Sequence, residues 1–113
     1  MIRGVGVDVA AVARFRTIDP EHVLSPAEME LWRSFGLPER KTEFLAGRFA
    51  VKEAIIKASP TGLSIRSMTA IVVGNDVNGR PYLASGQFPD AKVWLSISHD
   101  GEVAVGLCVI ESE

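Results

Sequence analysis

Short apolar runs separated by turn residues make up most of the chain, and one longer stretch has helical spacing. The short runs are rich in Val and Ile and are bounded by Gly, Pro, Asn and Asp, which is typical of strands. The longer stretch begins near Glu39, and Ser59-Pro60-Thr61-Gly62 ends it at about Ala58. Strands are predicted at 2–8, 67–73, about 80–84, 91–98 and 103–110, helices at about 26–34 and 39–58, and residues 9–17 are compatible with a further helix. This order predicts an α+β fold in which a mainly antiparallel sheet packs against one long helix.

Two local signals mark where elements begin or turn. Ser25 is a capping residue, Pro26 stands at the first helical position and Glu28 lies in the first turn, so a short helix should begin at about residue 26. Asp100-Gly101, between the last two predicted strands, is typical of a type I′ hairpin turn.

The alternation of the first strand places Gly4, Gly6 and Asp8 on one face and its valines on the other. Glycine weakens a strand unless something approaches its backbone closely. Here that neighbour is either a ligand or a tightly packed helix. Asp8 is in turn either an N-cap for the following segment or a functional carboxylate, and both roles are compatible at the end of a strand.

Charged residues interrupt a long helix that is otherwise apolar on several sides. Arg48 and Lys52 lie four residues apart between two stripes of large apolar residues, and Glu53 and Lys57 form a second i, i+4 pair beside a face of alanines. Such charges are either ordinary ion pairs and cationic stems that reach water, or they meet anions or a subunit interface. His99 ends a strand on the same face as three apolar residues, which directs it to the core side of the sheet.

Composition limits the class of protein. With 113 residues, of which 47% are hydrophobic, the chain is expected to form one domain over residues 1–113. A net charge of −2 gives no overall attraction to nucleic acid or to an acidic membrane surface. The apolar runs are too short to span a bilayer and the N-terminus lacks a signal-peptide pattern, so we expect a soluble cytoplasmic protein. Cys108 is the single cysteine and is expected to be a buried, inert thiol.

The candidate residues fall in motifs whose order spans nearly the whole chain. These motifs are Gly4-Val5-Gly6-Val7-Asp8, Arg14 on the segment that follows, the helical stretch from Arg48 to Ala58 with its Lys-Glu-Ala, Asn78-Gly79-Arg80-Pro81, and Ser96-Ile97-Ser98-His99. Together they resemble the holo-acyl-carrier-protein synthase family, the small bacterial type of 4′-phosphopantetheinyl transferase. The helical motif and the Ser-Ile-Ser-His strand are the specific parts of this resemblance.

The resemblance implies the 4′-phosphopantetheinyl transferase fold and a group-transfer reaction. The phosphopantetheine arm of coenzyme A would move to a serine of an acyl carrier protein, with release of adenosine 3′,5′-bisphosphate. It places Mg²⁺ on Asp8 and Glu53, since hard oxygen ligands suit this ion and water and substrate phosphate supply the rest of its shell; manganese takes similar ligands. Asp8, Glu53, Lys57 and His99 are the expected catalytic residues, with Lys57 neutralising the pyrophosphate or assisting the departing bisphosphate. The acceptor of the serine proton stays open among Glu53, Asp8 and a water on the metal.

Coenzyme A is expected to meet Arg48, Lys52, Lys57, Gly62 and His99. Arg48 matches the family position for phosphate contacts more closely than Lys52 does, and His99 would contact the nucleotide or its phosphates.

The resemblance also implies two kinds of protein partner. An acidic acyl carrier protein or carrier domain would dock on Arg14, which matches a family position, and on Arg16, which extends the patch. The family forms homotrimers with active sites at the subunit boundaries, which would account for the apolar material on several sides of the long helix.

Three segments depart from the family pattern, and two other functions stay open. Ser59 to Ser64 is shorter than the expected glycine-rich loop, Gly86 to Ala91 replaces a longer helical connection, and Asp100 follows His99 where the family often has a small hydroxyl residue. A carboxylate at this position would repel phosphate or pair with His99. The alternative functions are another metal-dependent enzyme that cleaves pyrophosphate and a catalytically silent carrier-binding protein on the same scaffold.

Overall fold

The computed structural model describes residues 1–63 and 65–113 and has the predicted α+β fold. Its helices are α1 (Pro26–Ser34) and α2 (Pro38–Ala58), with 3-10 helices at Val12–Arg16, Pro20–His22 and Ile65–Ala70. Its strands are β1 (Ile2–Ala11), β2 (Val73–Asn75), β3 (Pro81–Leu83), β4 (Ala91–His99) and β5 (Val103–Ser112).

The strands pair antiparallel, as predicted. β5 is the central strand of a three-stranded sheet in the order β1-β5-β4, and β2 pairs with β3 in a separate hairpin. In this register Asp8 on β1 lies opposite Gly106 of β5, and His99 on β4 lies opposite Ala104 of β5. The two candidate residues therefore lie on opposite sides of the central strand.

Helix α2 lies directly on the sheet because glycines leave room for its backbone. A Cβ atom on Gly6 would lie 2.0 Å from the carbonyl oxygen of Ala54, and one on Gly4 would lie 1.8 Å from that of Ala58. Gly106 of β5 meets α2 in the same way, with Val51 Cα 2.4 Å from the position of its Cβ. Close packing of a helix thus explains both β1 glycines, which was one of the two alternatives for them.

The interior fills the space between the sheet and α2. Two adjoining apolar clusters share the buried side of the helix, which includes Leu45, Ala50, Val51 and Ile55. Cys108 of β5 is fully buried in one of them, as expected, and burial raises the pKa of its thiol to about 12. It therefore remains a neutral thiol at physiological pH.

The opposite face of the sheet is apolar and uncovered. Val5, Val7 and Val9 of β1 are 59%, 53% and 62% exposed, and Leu107 and Trp94 extend this open face across β5 and β4. None of the described helices combines the length and apolar content that a bilayer span requires.

The short helix α1 begins as the sequence predicts. Ser25 Oγ accepts a hydrogen bond from the Glu28 backbone N–H at 3.3 Å, and a Glu28 side-chain oxygen accepts one from the Ser25 N–H at 2.9 Å. This reciprocal cap places the Glu28 side chain inside the protein, where it is 3% exposed.

The prediction of a strand at 67–73 is wrong. Residues Ile65–Ala70 form a 3-10 helix, and only Val73–Asn75 is a strand. Met68 and Ile71 are both buried, and three-residue spacing puts side chains on one side of a 3-10 turn. The β-branched composition of the segment therefore reflected burial rather than strand geometry.

The predicted hairpin between β4 and β5 forms, but the prediction of a type I′ turn is wrong. That turn requires positive φ at Asp100, whereas the positive φ angles of the described residues all belong to glycines, Gly101 among them at 89°. The loop is instead closed by a hydrogen bond from the Asp100 N–H to the Val103 carbonyl oxygen at 3.2 Å. A longer loop needs only the glycine in the left-handed region, which avoids strain at Asp100.

Residues 9–17 also differ from the expectation, because β1 continues to Ala11 before a 3-10 helix begins.

Candidate active site

Asp8 and Glu53 form a pair of carboxylates where β1 meets α2. The close contact of Gly6 with Ala54 brings the end of β1 against this part of the helix. Burial and the nearby charge of Asp8, in that order, raise the pKa of Glu53. Glu53 Oε1 is buried, and no described group forms a hydrogen bond with it. A buried carboxylate oxygen without a donor is an unfavourable arrangement that a cation would relieve.

Lys57 pairs with Asp8 across the helix and the strand. Its Nζ donates to Asp8 Oδ1 at 2.9 Å and to the Val7 carbonyl oxygen at 3.2 Å. The hydrogen bond to Asp8 is the main reason that the pKa of Lys57 is raised. The sequence placed Lys57 beside Glu53, one turn away on the same helix, but the ammonium group contacts the carboxylate on the neighbouring strand.

The donor set fits a hard divalent ion that keeps much of its shell for water and substrate. No cluster of three or more His, Cys, Asp and Glu ligands occurs in the part of the chain that the structure describes. Asp8 and Glu53 supply two carboxylates, one with a free buried oxygen, which suits Mg²⁺ bound together with phosphate oxygens rather than an ion held by protein alone.

Arg48 lines a cavity of about 210 Å³ on another side of α2, between β4 and the β2–β3 hairpin. Its Nη2 donates to Asn75 Oδ1 at 2.5 Å, and the guanidinium lies 4.5 Å from the centre of the Phe44 ring. The other lining residues are Glu43, Gly47, Gly79, Pro81, Ile97 and His99. An arginine held by an amide and an aromatic ring at the wall of an open cavity can receive a phosphate.

His99 reaches this cavity from the end of β4. Its Nδ1 lies 3.5 Å from Glu43 Oε2, and its side chain is half exposed. The sequence suggested Asp100 as a partner for His99, but the carboxylate that the structure brings to His99 is Glu43 on α2.

Lys52 has a different place from the one the sequence suggested. Its Nζ is fully buried and donates to Glu28 Oε1 and to the Val23 carbonyl oxygen, both at 2.6 Å. Burial lowers the pKa of Lys52, against the attraction of Glu28. A phosphate has no access to this ammonium group, so we do not include Lys52 among the ligands of coenzyme A.

The two groups of candidate residues do not meet within one chain. None of Asp8, Glu53 and Lys57 lines the cavity of Arg48 and His99. Gly62 does not line it either; this glycine lies exposed in the turn after α2, with φ of 73°. Within the described residues, the structure therefore shows two separate groups of candidate residues.

Arg14 and Arg16 lie exposed on the 3-10 helix that follows β1. The Arg14 guanidinium is 5.4 Å from the centre of the Phe15 ring and 5.8 Å from that of Phe49. Aromatic support of this kind holds a cation at the surface without neutralising it.

Three residues that contact Arg48 or His99 had no role at these positions in the sequence analysis. Glu28 was recognised only as a helix cap, although a capping glutamate can also face the interior. Glu43 and Asn75 carried no motif, and contacts across 27 residues, such as that of Asn75 with Arg48, have no local sequence signal.

Comparison with known proteins finds similar chains along the whole length. The family described as the 4′-phosphopantetheinyl transferase superfamily matches residues 4–108. The chain is 39% identical to a holo-[acyl-carrier-protein] synthase of Staphylococcus carnosus and 40% identical to one of Lactococcus lactis, in each case over 118 residues that cover 98% of both proteins. It is also similar to the crystal structure of a holo-(acyl-carrier-protein) synthase from Bacillus anthracis in complex with CoA (3′,5′-ADP), with a TM-score of 0.90, 38% identity, and coverage of 100% of this chain and 99% of that chain.

Proposed function

The chain belongs to the 4′-phosphopantetheinyl transferase superfamily, and from this premise we propose that it is a holo-acyl-carrier-protein synthase. It transfers the 4′-phosphopantetheine group of coenzyme A to a serine of an acyl carrier protein and releases adenosine 3′,5′-bisphosphate. The family that the sequence motifs indicated is confirmed. The observation that carries the proposal is the cluster of Asp8, Glu53 and Lys57 in a chain whose full-length relatives bear this name. We place the reaction in the cytoplasm.

We propose that Asp8 and Glu53 hold Mg²⁺. The support is the unpartnered buried oxygen of Glu53 and the raised pKa of this residue, which burial causes first and the nearby charge of Asp8 second. When bound, the ion would neutralise charge on the pyrophosphate of coenzyme A.

Lys57 is the third charged residue of the group that includes Asp8 and Glu53. In the structure its ammonium group balances Asp8. When substrate is present, its exposed Nζ is within one helical turn of Glu53 and can donate to the pyrophosphate or to the departing bisphosphate.

Arg48 and His99 would bind the nucleotide part of coenzyme A. Arg48 lines the cavity with one amino group already fixed by Asn75, so little conformational freedom is lost when it meets a phosphate. His99 would contact the nucleotide or a phosphate from the other wall. Gly62, in the turn after α2 and outside this cavity, would contact another part of coenzyme A through its backbone.

The acyl carrier protein would dock on Arg14 and Arg16. Both arginines are exposed, and they give a local positive patch to a chain whose net charge is −2. Complementary charge of this kind steers an acidic partner toward the adjacent site.

We further propose a homotrimer, in which the open face of the sheet is covered by other copies. Apolar side chains on three adjacent strands, exposed together, are typical of a protein interface. An active site at the subunit boundary would join Asp8, Glu53 and Lys57 of one copy with Arg48 and His99 of a neighbour.

Mass spectrometry of a candidate acyl carrier protein tests the proposed function. The apo carrier should gain the mass of phosphopantetheine only when the enzyme, coenzyme A and Mg²⁺ are all present. Release of nucleotide without modification of the carrier would instead indicate a pyrophosphate-cleaving enzyme, and unchanged coenzyme A would indicate a silent carrier-binding protein.

The same assay tests the metal ligands. Asp8→Asn and Glu53→Gln should each lose most of the rate while remaining folded, whereas Glu39→Gln, at an exposed position in the first turn of α2, should retain it. Full activity in both Asp8→Asn and Glu53→Gln would show that the metal site is assigned to the wrong residues.

A further inference from the structure

Three buried charged side chains form a cluster in which cations outnumber anions. Glu28 contacts Lys52 Nζ at 2.6 Å and Arg48 Nε at 3.4 Å, and each of the three residues is at most 5% exposed. Among the described residues, Glu28 is the only carboxylate in ion-pair contact with either cation. One carboxylate therefore serves two cations, and one positive charge of the cluster is left without a counter-ion.

The carboxylate is shared unequally between the two cations. Glu28 Oε1 accepts a hydrogen bond from Lys52 Nζ, which is also held by the Val23 carbonyl oxygen. Arg48 Nε has only the longer contact, and no described group accepts a hydrogen bond from it. Lys52 is thus the better neutralised cation, and the surplus charge belongs to Arg48.

The surplus charge faces the candidate nucleotide cavity. Arg48 is the residue of the cluster that lines this cavity, whereas Lys52 does not reach it. Glu43 also lines the cavity, but its carboxylate contacts His99. An anion that enters here meets a guanidinium that shares its carboxylate, Glu28, with Lys52.

We infer that Lys52 is a positioning residue for coenzyme A binding, because it makes the closer contact with the Glu28 carboxylate and leaves Arg48 with positive charge to offer a phosphate. The inference rests on the proposed function. It assigns an indirect role to a lysine that never touches the substrate. A merely structural ion pair would affect stability and leave the affinity for an anion unchanged.

Replacement of Lys52 by an uncharged side chain of similar length tests this role. In Lys52→Met, Arg48 is the one cation that still contacts Glu28 among the described residues, and the cluster becomes neutral. The charge removed acts across roughly 10 Å at an effective dielectric constant of about 20, so coenzyme A should bind about tenfold more weakly by isothermal titration calorimetry. In steady-state assays the change should appear in KM for coenzyme A and not in kcat or in KM for the carrier, and the salt dependence of binding should become shallower.

Two further variants separate charge from packing. Lys41→Met removes the same charge from the same helix, but Lys41 Nζ lies over the Trp32 ring at 4.6 Å, so affinity for coenzyme A should stay within twofold of the wild type. The double variant Glu28→Gln with Lys52→Met restores one surplus positive charge and should recover affinity to within about threefold.

The outcomes distinguish this inference from the proposed function. If the wild-type protein does not bind coenzyme A, both are overturned. If the wild type binds it and folded Lys52→Met binds equally well, or if the double variant stays as weak as the single one, the inference alone is overturned. Should Lys52→Met fail to fold, Lys52→Gln removes the charge and keeps a donor for the Val23 carbonyl oxygen, and the same comparison applies.

Discussion

Asp8 and Glu53 are unequal carboxylates, although the sequence presents them as a pair. Asp8 already has a cation, since Lys57 Nζ contacts it at 2.9 Å. Glu53 differs, because its buried Oε1 has no described hydrogen-bond partner. The free protein therefore carries a destabilising negative charge at Glu53, which binding of a cation would remove.

Glu53→Gln should stabilise the metal-free protein at neutral pH. Burial and Asp8 raise the pKa of Glu53 above its ordinary value of 4.5, so between the unfolded and folded pKa values the folded state binds more protons. Ionisation of Glu53 therefore lowers the free energy of unfolding as pH rises through this window. Differential scanning calorimetry should show a higher Tm for Glu53→Gln at pH 7, with the advantage vanishing as pH falls below about 4.5. Added Mg²⁺ should raise the Tm of the wild type and not that of the variant. A Tm for Glu53→Gln below the wild type at every pH would contradict this expectation.

Lys57→Met should lower kcat strongly while the protein stays folded. Loss of one donor that stabilises developing charge in a transition state costs about 10²–10³ in rate. Transfer to the carrier, followed by mass spectrometry, measures the effect, and Lys41→Met, at a half-buried position near the start of α2, is the matched control. Equal rates for the two variants would contradict the assignment of Lys57 to the active site.

The contact between α2 and the sheet brings the two carboxylates, Asp8 and Glu53, together. Gly4, Gly6 and Gly106 let the helix backbone approach β1 and β5, and this approach brings Glu53 to Asp8. The same glycines therefore serve both the candidate site and the packing of the helix on the sheet.

Gly6→Ala should destabilise the protein and disturb the site together. The new Cβ would lie 2.0 Å from the Ala54 carbonyl oxygen, which is backbone and cannot rotate away. Overpacking of this kind costs about 1–3 kcal/mol and sometimes more. Gly86→Ala is the control, since no atom lies within 4 Å of its added Cβ. Urea unfolding of both variants tests the difference, and equal midpoints would mean that α2 does not pack this closely.

Local patterns predicted the elements whose signals lie within a few residues. The Ser25–Glu28 cap, the end of α2 and the alternation of β1 are of this kind, and all three occur in the structure. The segment at 65–75 was mistaken because apolar composition does not distinguish a buried 3-10 turn from a strand. The role of Lys52 was also mistaken, since its partner Glu28 is 24 residues away and only the folded chain brings them together. Motif spacing suggested that Asp8 and Glu53 lie near each other, which they do, but it gave no sign that they lie apart from Arg48 and His99.

The whole molecule has two separate groups of candidate residues and one uncovered apolar sheet face. In the trimer proposed above, other copies would bury the face of Val5, Val7 and Val9 and would join the two groups of candidate residues at subunit boundaries. Assembly and activity should therefore be lost together.

Val5→Glu should prevent this assembly. A carboxylate on the open face is harmless in the monomer, where Val5 is 59% exposed, but would be costly between subunits. Val77→Glu, at a fully exposed position between β2 and β3, makes the same change away from the face. Sedimentation velocity should give a trimer for the wild type and Val77→Glu and a monomer for Val5→Glu, with transferase activity following the trimer. A trimer of unchanged stability in Val5→Glu would show that another surface joins the subunits.

The inert thiol of Cys108 makes the protein convenient for site-specific labelling. Since this is the single cysteine in the sequence, fully buried and with a pKa of about 12, maleimide dyes should leave the folded chain untouched. A cysteine introduced at Val77 would then be the sole reactive position, on a tip remote from the open face. Mixing donor- and acceptor-labelled copies would report subunit exchange by energy transfer in real time, without removal of any native side chain from the interior.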